Sequence, residues 1–186
     1  MKIYKYKTYK EYIDVQTSTN KLKINNVWVT ESSVKKIKSL QPNAEVILCH
    51  GTRNAAEQKL FYKYYPNSKI LGTEISDTAL SFPMTIHHDF HEPLKIFNGN
   101  CDIIYSNSFD HSYDPEKCLK TWCMQKSQTG KIFIELMVSQ IDNRSTSSDP
   151  LEISEDEFLK LCSDYNLRLN NSWLVEHKNS KVFELL

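Results

Sequence analysis

EVILCHGTRN (residues 45–54) sets the reading of the whole chain. Glu45–Cys49 is a short, nearly continuous apolar run, as expected of a strand buried on both faces. His50–Asn54 is a polar loop around Gly51. From Asn54 to Tyr65 the pattern turns helical, with Ala55, Ala56, Leu60, Phe61 and Tyr64 as the inner face. Downstream the theme repeats. Pro66-Asn67-Ser68 is a turn, Lys69–Glu74 a second strand, Asp77–Leu80 a helical turn and Met84–His88 a third strand. Cys101–Ser106 is a fourth strand, Pro115–Gln125 a helix and Gly130–Met137 a fifth strand. Strands alternating with helices at this spacing predict right-handed crossovers and a parallel sheet.

The flanks complete the pattern. Thr30–Ser33 is a capping signal for a helix with Val34, Ile37 and Leu40 on one face, closed by Pro42-Asn43. Before it, Thr8–Val15 reads as a short helix and Lys21–Val29 as an extended segment. After the fifth strand, Ser139–Asp149 is a polar loop. Ser154 and Glu157 cap a helix running to Cys162. Arg168–Val175 and Lys181–Leu186 read as strands joined by a turn at His177–Ser180, so the sheet should end in an antiparallel pair. The expected fold class is α/β, a Rossmann-like doubly wound, mostly parallel sheet. It occupies one domain, 1–186, with residues 1–30 as an N-terminal extension or lid on a 31–186 core.

Composition narrows the function. The 186 residues are 40% hydrophobic and 25% charged, which excludes wholesale disorder and a fibre. Lys plus Arg equals Asp plus Glu at 23 each, so no electrostatic grip on nucleic acid or an anionic membrane is expected. No apolar run approaches the ~18 residues of a membrane span. The five cysteines (49, 101, 118, 123, 162) form no CxxC pair, and the N-terminus has no signal-peptide core. Reduced thiols in the cytoplasm are the expectation. There are only 4 glycines, fewer than a phosphate-cradling loop usually needs.

In an open α/β sheet, ligands bind beyond the carboxyl ends of the strands. That rule selects His50–Asn54, Glu74-Ile75-Ser76, Asp89-Phe90-His91 and Asn107–Asp114. Histidines 50, 87, 88, 91 and 111 gather in or beside these segments, although polar loops hold polar residues in any case. Glu74 lies 23 residues after Gly51, where dinucleotide-binding logic places an acid for ribose hydroxyls. Asp89 ends the third strand, placed to receive an adenine amine. Either acid can instead cap a following helix.

These residues resemble the class I S-adenosylmethionine-dependent methyltransferases, from about Ser32 to the C-terminus. VILCHGTRN (46–54) sits where that family has its glycine-rich first motif. ILGTEIS (70–76) is similar to the second motif, IHHDFHEP (86–93) to the third and CDIIYSNSFDHSYDPEKCL (101–119) to the fourth. The resemblance implies S-adenosylmethionine as cofactor. It implies cofactor contacts from His50, Gly51, Thr52, Arg53, Asn54, Glu74, Ile75, Asp89, Phe90, Asn107, Ser108 and Phe109. The family's first motif is an acid followed by three alternating glycines. Here Ile47 replaces the acid, Cys49 the first glycine and Arg53 the third. Arg53 is therefore placed to pair with the methionine carboxylate.

If the acceptor is an oxygen or nitrogen, a base is useful, and histidine suits neutral pH. His111 beside Asp110 is the candidate, as base and orienter; an adenine contact or a helix cap is its bland alternative. No metal site is expected: His87 and His88 point to opposite faces, and only His88 and His91 can converge. The polar 139–149 loop, with Arg144, suits a polar small molecule or a glycan precursor, methylated at oxygen. Two other readings stay open: a catalytically inactive binding module of the same fold, and a nicotinamide-dependent Rossmann enzyme. Oligomeric state is not legible.

Overall fold

The computed structural model describes residues 1–137, 145–176 and 178–186. In chain order the elements are β1 (Lys2–Ile3), α1 (Tyr9–Leu22), α2 (Glu31–Leu40), β2 (Val46–His50), α3 (Ala56–Tyr64), β3 (Lys69–Glu74), β4 (Thr85–His87) and β5 (Cys101–Ser106). They continue as α4 (Pro115–Gln125), β6 (Lys126–Met137), β7 (Leu151–Glu152), α5 (Glu155–Asp164), β8 (Leu169–Leu174) and β9 (Ser180–Leu185). Short 3₁₀ turns lie at Asp77–Ser81, Lys95–Phe97 and Phe109–His111.

Seven strands form one sheet in the order β4-β3-β2-β5-β6-β9-β8. β4 through β6 pair in parallel, and β9 runs antiparallel to both β6 and β8. The period of two along the central strands splits the core into two layers. Leu48, Ile104, Ile132 and Ile134 face α4 and α5, where Trp122 and Phe158 are fully buried. Ile47, Cys49, Ile103, Tyr105 and Phe133 face α2 and α3, against Val34, Ile37 and Phe61. The expected parallel sheet with a closing antiparallel pair is what the chain forms.

Three details differ from the sequence reading. The first helix runs on to Leu22, through the start of the stretch expected to be extended. Its buried positions are Tyr12, Gln16 and Asn20, so its inner stripe is mostly polar and carries little hydrophobic period. β6 starts at Lys126 rather than Gly130, across a register shift beside Cys101. A Cβ at Gly130 would lie 2.3 Å from the Cys101 carbonyl oxygen, so the crossing admits only glycine. Third, β1 and β7 form a two-residue ladder, too short to leave a sequence signal. The 138–144 part of the expected substrate loop, with Arg144, and His177 of the last hairpin lie outside the described residues. All five cysteines are free. Among the described residues no helix is long and apolar enough to cross a membrane.

Candidate functional site

The chain builds β2, β3 and β4 outward in one direction, then returns to place β5 on the other side of β2. The carboxyl ends of β2 and β5 therefore mark the topological switch point, where such sheets open a crevice. Two serines knit that crevice. Ser106 Oγ donates to the His50 carbonyl and Ser108 Oγ to the Gly51 carbonyl, both at 3.0 Å. Gly51 has φ +73, and a Cβ there would stand 2.6 Å from the Ser108 Cβ. Glycine is thus required twice, by conformation and by approach. The Gly51 and Thr52 amides both donate to the Thr73 carbonyl, so these two loop donors are already used.

A cavity of about 40 Å³ lies over this point. Gly51, Arg53, Glu74, Ile75, Phe90, Ser108 and His111 line it from the sheet side; Tyr12, Gln16, Thr19 and Asn20 of α1 roof it. Glu74 is buried, and burial pushes its carboxyl above the usual range against hydrogen bonds from the Ser76 and Arg53 backbones. Its Oε1 accepts from the Ser76 amide at 2.9 Å. Arg53 is half-buried with φ +21, and its Nε is buried with no hydrogen-bond partner.

Of the expected cofactor contacts, the six side chains or loop atoms of Gly51, Arg53, Glu74, Ile75, Phe90 and Ser108 converge. The others do not line it, and their side chains pack elsewhere. His50 points into the core, stacked on Trp122 at 4.8 Å, with Nδ1 against Thr73 Oγ1 and Nε2 against Gln125 Oε1, each at 2.9 Å. Phe109 is fully buried between Trp122 and Phe158. Thr52 is buried and accepts from Gln58 Nε2. Asn54 caps the Ala56 amide and ties the loop to the Ile24 and Asn26 carbonyls. Asn107 donates to Glu57. Asp89 holds His91 through Oδ1 at 2.6 Å and accepts from Tyr9 through Oδ2 at 2.8 Å.

His111 lines the cavity, and its hydrogen bonds go to groups other than Asp110. Nδ1 faces two acceptors, Gln16 Oε1 at 3.0 Å and the Ser148 carbonyl at 2.9 Å. Nδ1 therefore carries the proton and Nε2 the lone pair. Asp110 and Asp149 stand beside Nε2, at 4.0 and 3.7 Å. Burial holds the Asp110 carboxyl above its usual range, with His111 opposing that rise. His88 and His91 do not converge: His88 Nε2 meets the Glu92 carbonyl, and His91 Nε2 meets Ser112.

By sequence the chain matches no family model and no curated protein. By structure it superposes on solved methyltransferases. One is the 1,6-didemethyltoxoflavin N1-methyltransferase of Burkholderia thailandensis, solved with that compound and S-adenosylhomocysteine. It gives a TM-score of 0.73 at 14% identity, over 98% of this chain and 91% of that one. The chain has the class I methyltransferase fold. Geranyl diphosphate C-methyltransferase of Streptomyces coelicolor A3(2), with Mg²⁺, geranyl diphosphate and S-adenosylhomocysteine, gives 0.72 at 7% identity, over 94% and 97% of the two chains. Magnesium protoporphyrin IX methyltransferase of Synechocystis PCC 6803, with S-adenosylmethionine bound, gives 0.64 at 9%, over 97% and 99%.

Within this methyltransferase fold, the residues the sequence reading missed are those of α1. Tyr12, Gln16 and Asn20 recur every four residues, and that spacing was the available signal.

Proposed function

We propose that the chain is an S-adenosylmethionine-dependent methyltransferase acting at oxygen on a polar small molecule or glycan precursor. The observation that carries this is the convergence of Gly51, Arg53, Glu74, Ile75, Phe90 and Ser108 on one cavity at the switch point. The donor set fits the cofactor. The Gly51 surface would be filled by any Cβ, and the buried Arg53 Nε lacks an acceptor. Glu74 would hold the ribose hydroxyls, Ile75 and Phe90 the adenine, and Arg53 the methionine carboxylate. When bound, the cofactor supplies an electrophilic methyl on sulfur.

His111 acts on the acceptor. Its Nε2 lone pair takes the hydroxyl proton, while the Ser148 carbonyl and Gln16 fix the ring through Nδ1. The imidazolium so formed has the Asp110 and Asp149 carboxylates beside it. The described part of the loop after β6, Ser145–Asp149, offers hydroxyls and a carboxylate, which favours a polar acceptor. The roof from α1 serves as a lid.

Isothermal calorimetry with S-adenosylmethionine, S-adenosylhomocysteine and NAD tests the cofactor. Binding of the first two and not the third is expected. Binding of NAD alone would make this a nicotinamide enzyme, and binding of none a module that has lost its cofactor. Once an acceptor is found, His111→Ala should slow methylation roughly 10²- to 10⁴-fold; an unchanged rate removes the base.

A further inference from the structure

We infer that Glu57 is the ammonium-binding residue of the site, forming with Arg53 a clamp for a zwitterionic α-amino-acid group. The inference rests on the proposed cofactor, whose methionine end is such a group.

Glu57 is the second residue of α3 and is 6% exposed. Its Oε1 accepts from Asn107 Nδ2 at 3.0 Å, while Oε2 is buried with no hydrogen-bond partner. Arg53, four residues earlier, presents the complementary orphan, a buried Nε with no acceptor. The two side chains feel each other's charge, yet form neither a hydrogen bond nor an ion pair. A buried donor and a buried acceptor, each left without a partner, are costly to the folded protein. A ligand carrying both an ammonium and a carboxylate satisfies both at once.

Two further observations assign the partners. The Gly51 and Thr52 amides, which would otherwise receive an anion, are committed to Thr73. The carboxylate is thereby left to the Arg53 side chain. Asn107, Arg53 and Glu74 act most strongly on the Glu57 carboxyl, and Arg53 is the cation of the three. Burial pushes that carboxyl above the usual range, as expected for an acid that lacks a full counter-charge of its own. An incoming ammonium supplies it.

The test compares S-adenosylhomocysteine with 5′-methylthioadenosine, which has the same adenosine and thioether but no amino acid, by calorimetry on the full chain. In the wild type the first should bind far more tightly. Glu57→Gln is isosteric and should weaken S-adenosylhomocysteine roughly 10- to 100-fold while leaving 5′-methylthioadenosine within about twofold. That second affinity also reports folding of the variant. Arg53→Ala should show the same selective loss. It should show no loss against decarboxylated S-adenosylmethionine, which Glu57→Gln still weakens. Unchanged S-adenosylhomocysteine affinity in Glu57→Gln, or equal loss of both ligands, overturns the clamp and leaves the methyltransferase reading standing. A folded wild type that binds neither nucleoside overturns that reading as well.

Discussion

A histidine in a dry core has to stay neutral. His50 is fully enclosed, with Thr73 and Gln125 on its two nitrogens and Trp122 across its face. Burial drops its pKa from 6.5 to about 3. The unfolded chain takes up a proton near pH 6.5 that the folded chain refuses until about pH 3. Stability is therefore lost as pH falls below 6.5, by at most about 1.4 kcal/mol per unit. Glu57, Glu74 and Asp110 work the other way: burial raises them, so the folded state gains protons first as pH falls. Comparing the wild type with His50→Gln isolates the histidine. Between pH 7.5 and 5.5, urea unfolding should show the wild type losing about 1.4 kcal/mol more than the variant. Equal losses would mean that His50 can be protonated where it sits. In the sequence, its place at a strand tip is what points this residue to the cofactor. Val46–His50 is flanked by core on both sides, so its pattern has no polar face to say which way position 50 points.

The elements divide by how their sequence advertises burial. β2, β3 and β5, with α4, were legible nearly to the residue, because apolar runs and a helix period both signal a dry face. α1 is half legible because Tyr12 is the one apolar residue of its buried stripe, while Gln16 and Asn20 are buried through hydrogen bonds. Its role over the cavity stayed hidden for the same reason. β3 carries a subtler constraint at Gly72. A Cβ there would lie 1.8 Å from Gln58 Nε2 and 2.5 Å from Thr52 Oγ1. Gln58 is fully buried, and its amide donates to Thr52, Thr85 and the Met84 carbonyl, tying α3 and the first loop to the sheet edge. Gly72→Ala should push this amide out of its bonds and destabilise the fold by about 2 kcal/mol or more. A shift in the urea midpoint at constant slope measures it. A wild-type midpoint would show that Gln58 has room to move.

Across the whole molecule, the sheet supplies a rigid floor and α1 a roof of a different kind. The floor residues sit at the ends of strands packed in two apolar layers. The roof is fastened mainly by polar ties: Tyr9 to Asp89, Tyr12 to the His111 carbonyl, Gln16 to the Ser148 carbonyl, Asn20 to Thr78 and Lys21 to Asp77. Between them the cavity is about 40 Å³. Ligand pockets for molecules of cofactor size are typically ~300–1,000 Å³. Admitting a nucleoside therefore requires α1 to rise, and a helix held by a few hydrogen bonds and one buried ring, Tyr12, releases at lower free energy than strands packed in two apolar layers. In the free protein, amides of residues 12–22 should exchange with solvent orders of magnitude faster than those of β2 and β5. Saturating S-adenosylhomocysteine should slow the helix, because its contacts to floor and roof hold the lid shut, and should also slow any strand amide that exchanges through global unfolding. Hydrogen exchange followed by mass spectrometry reads both. If α1 exchanges as slowly as the central strands without ligand, it belongs to the core and is no lid.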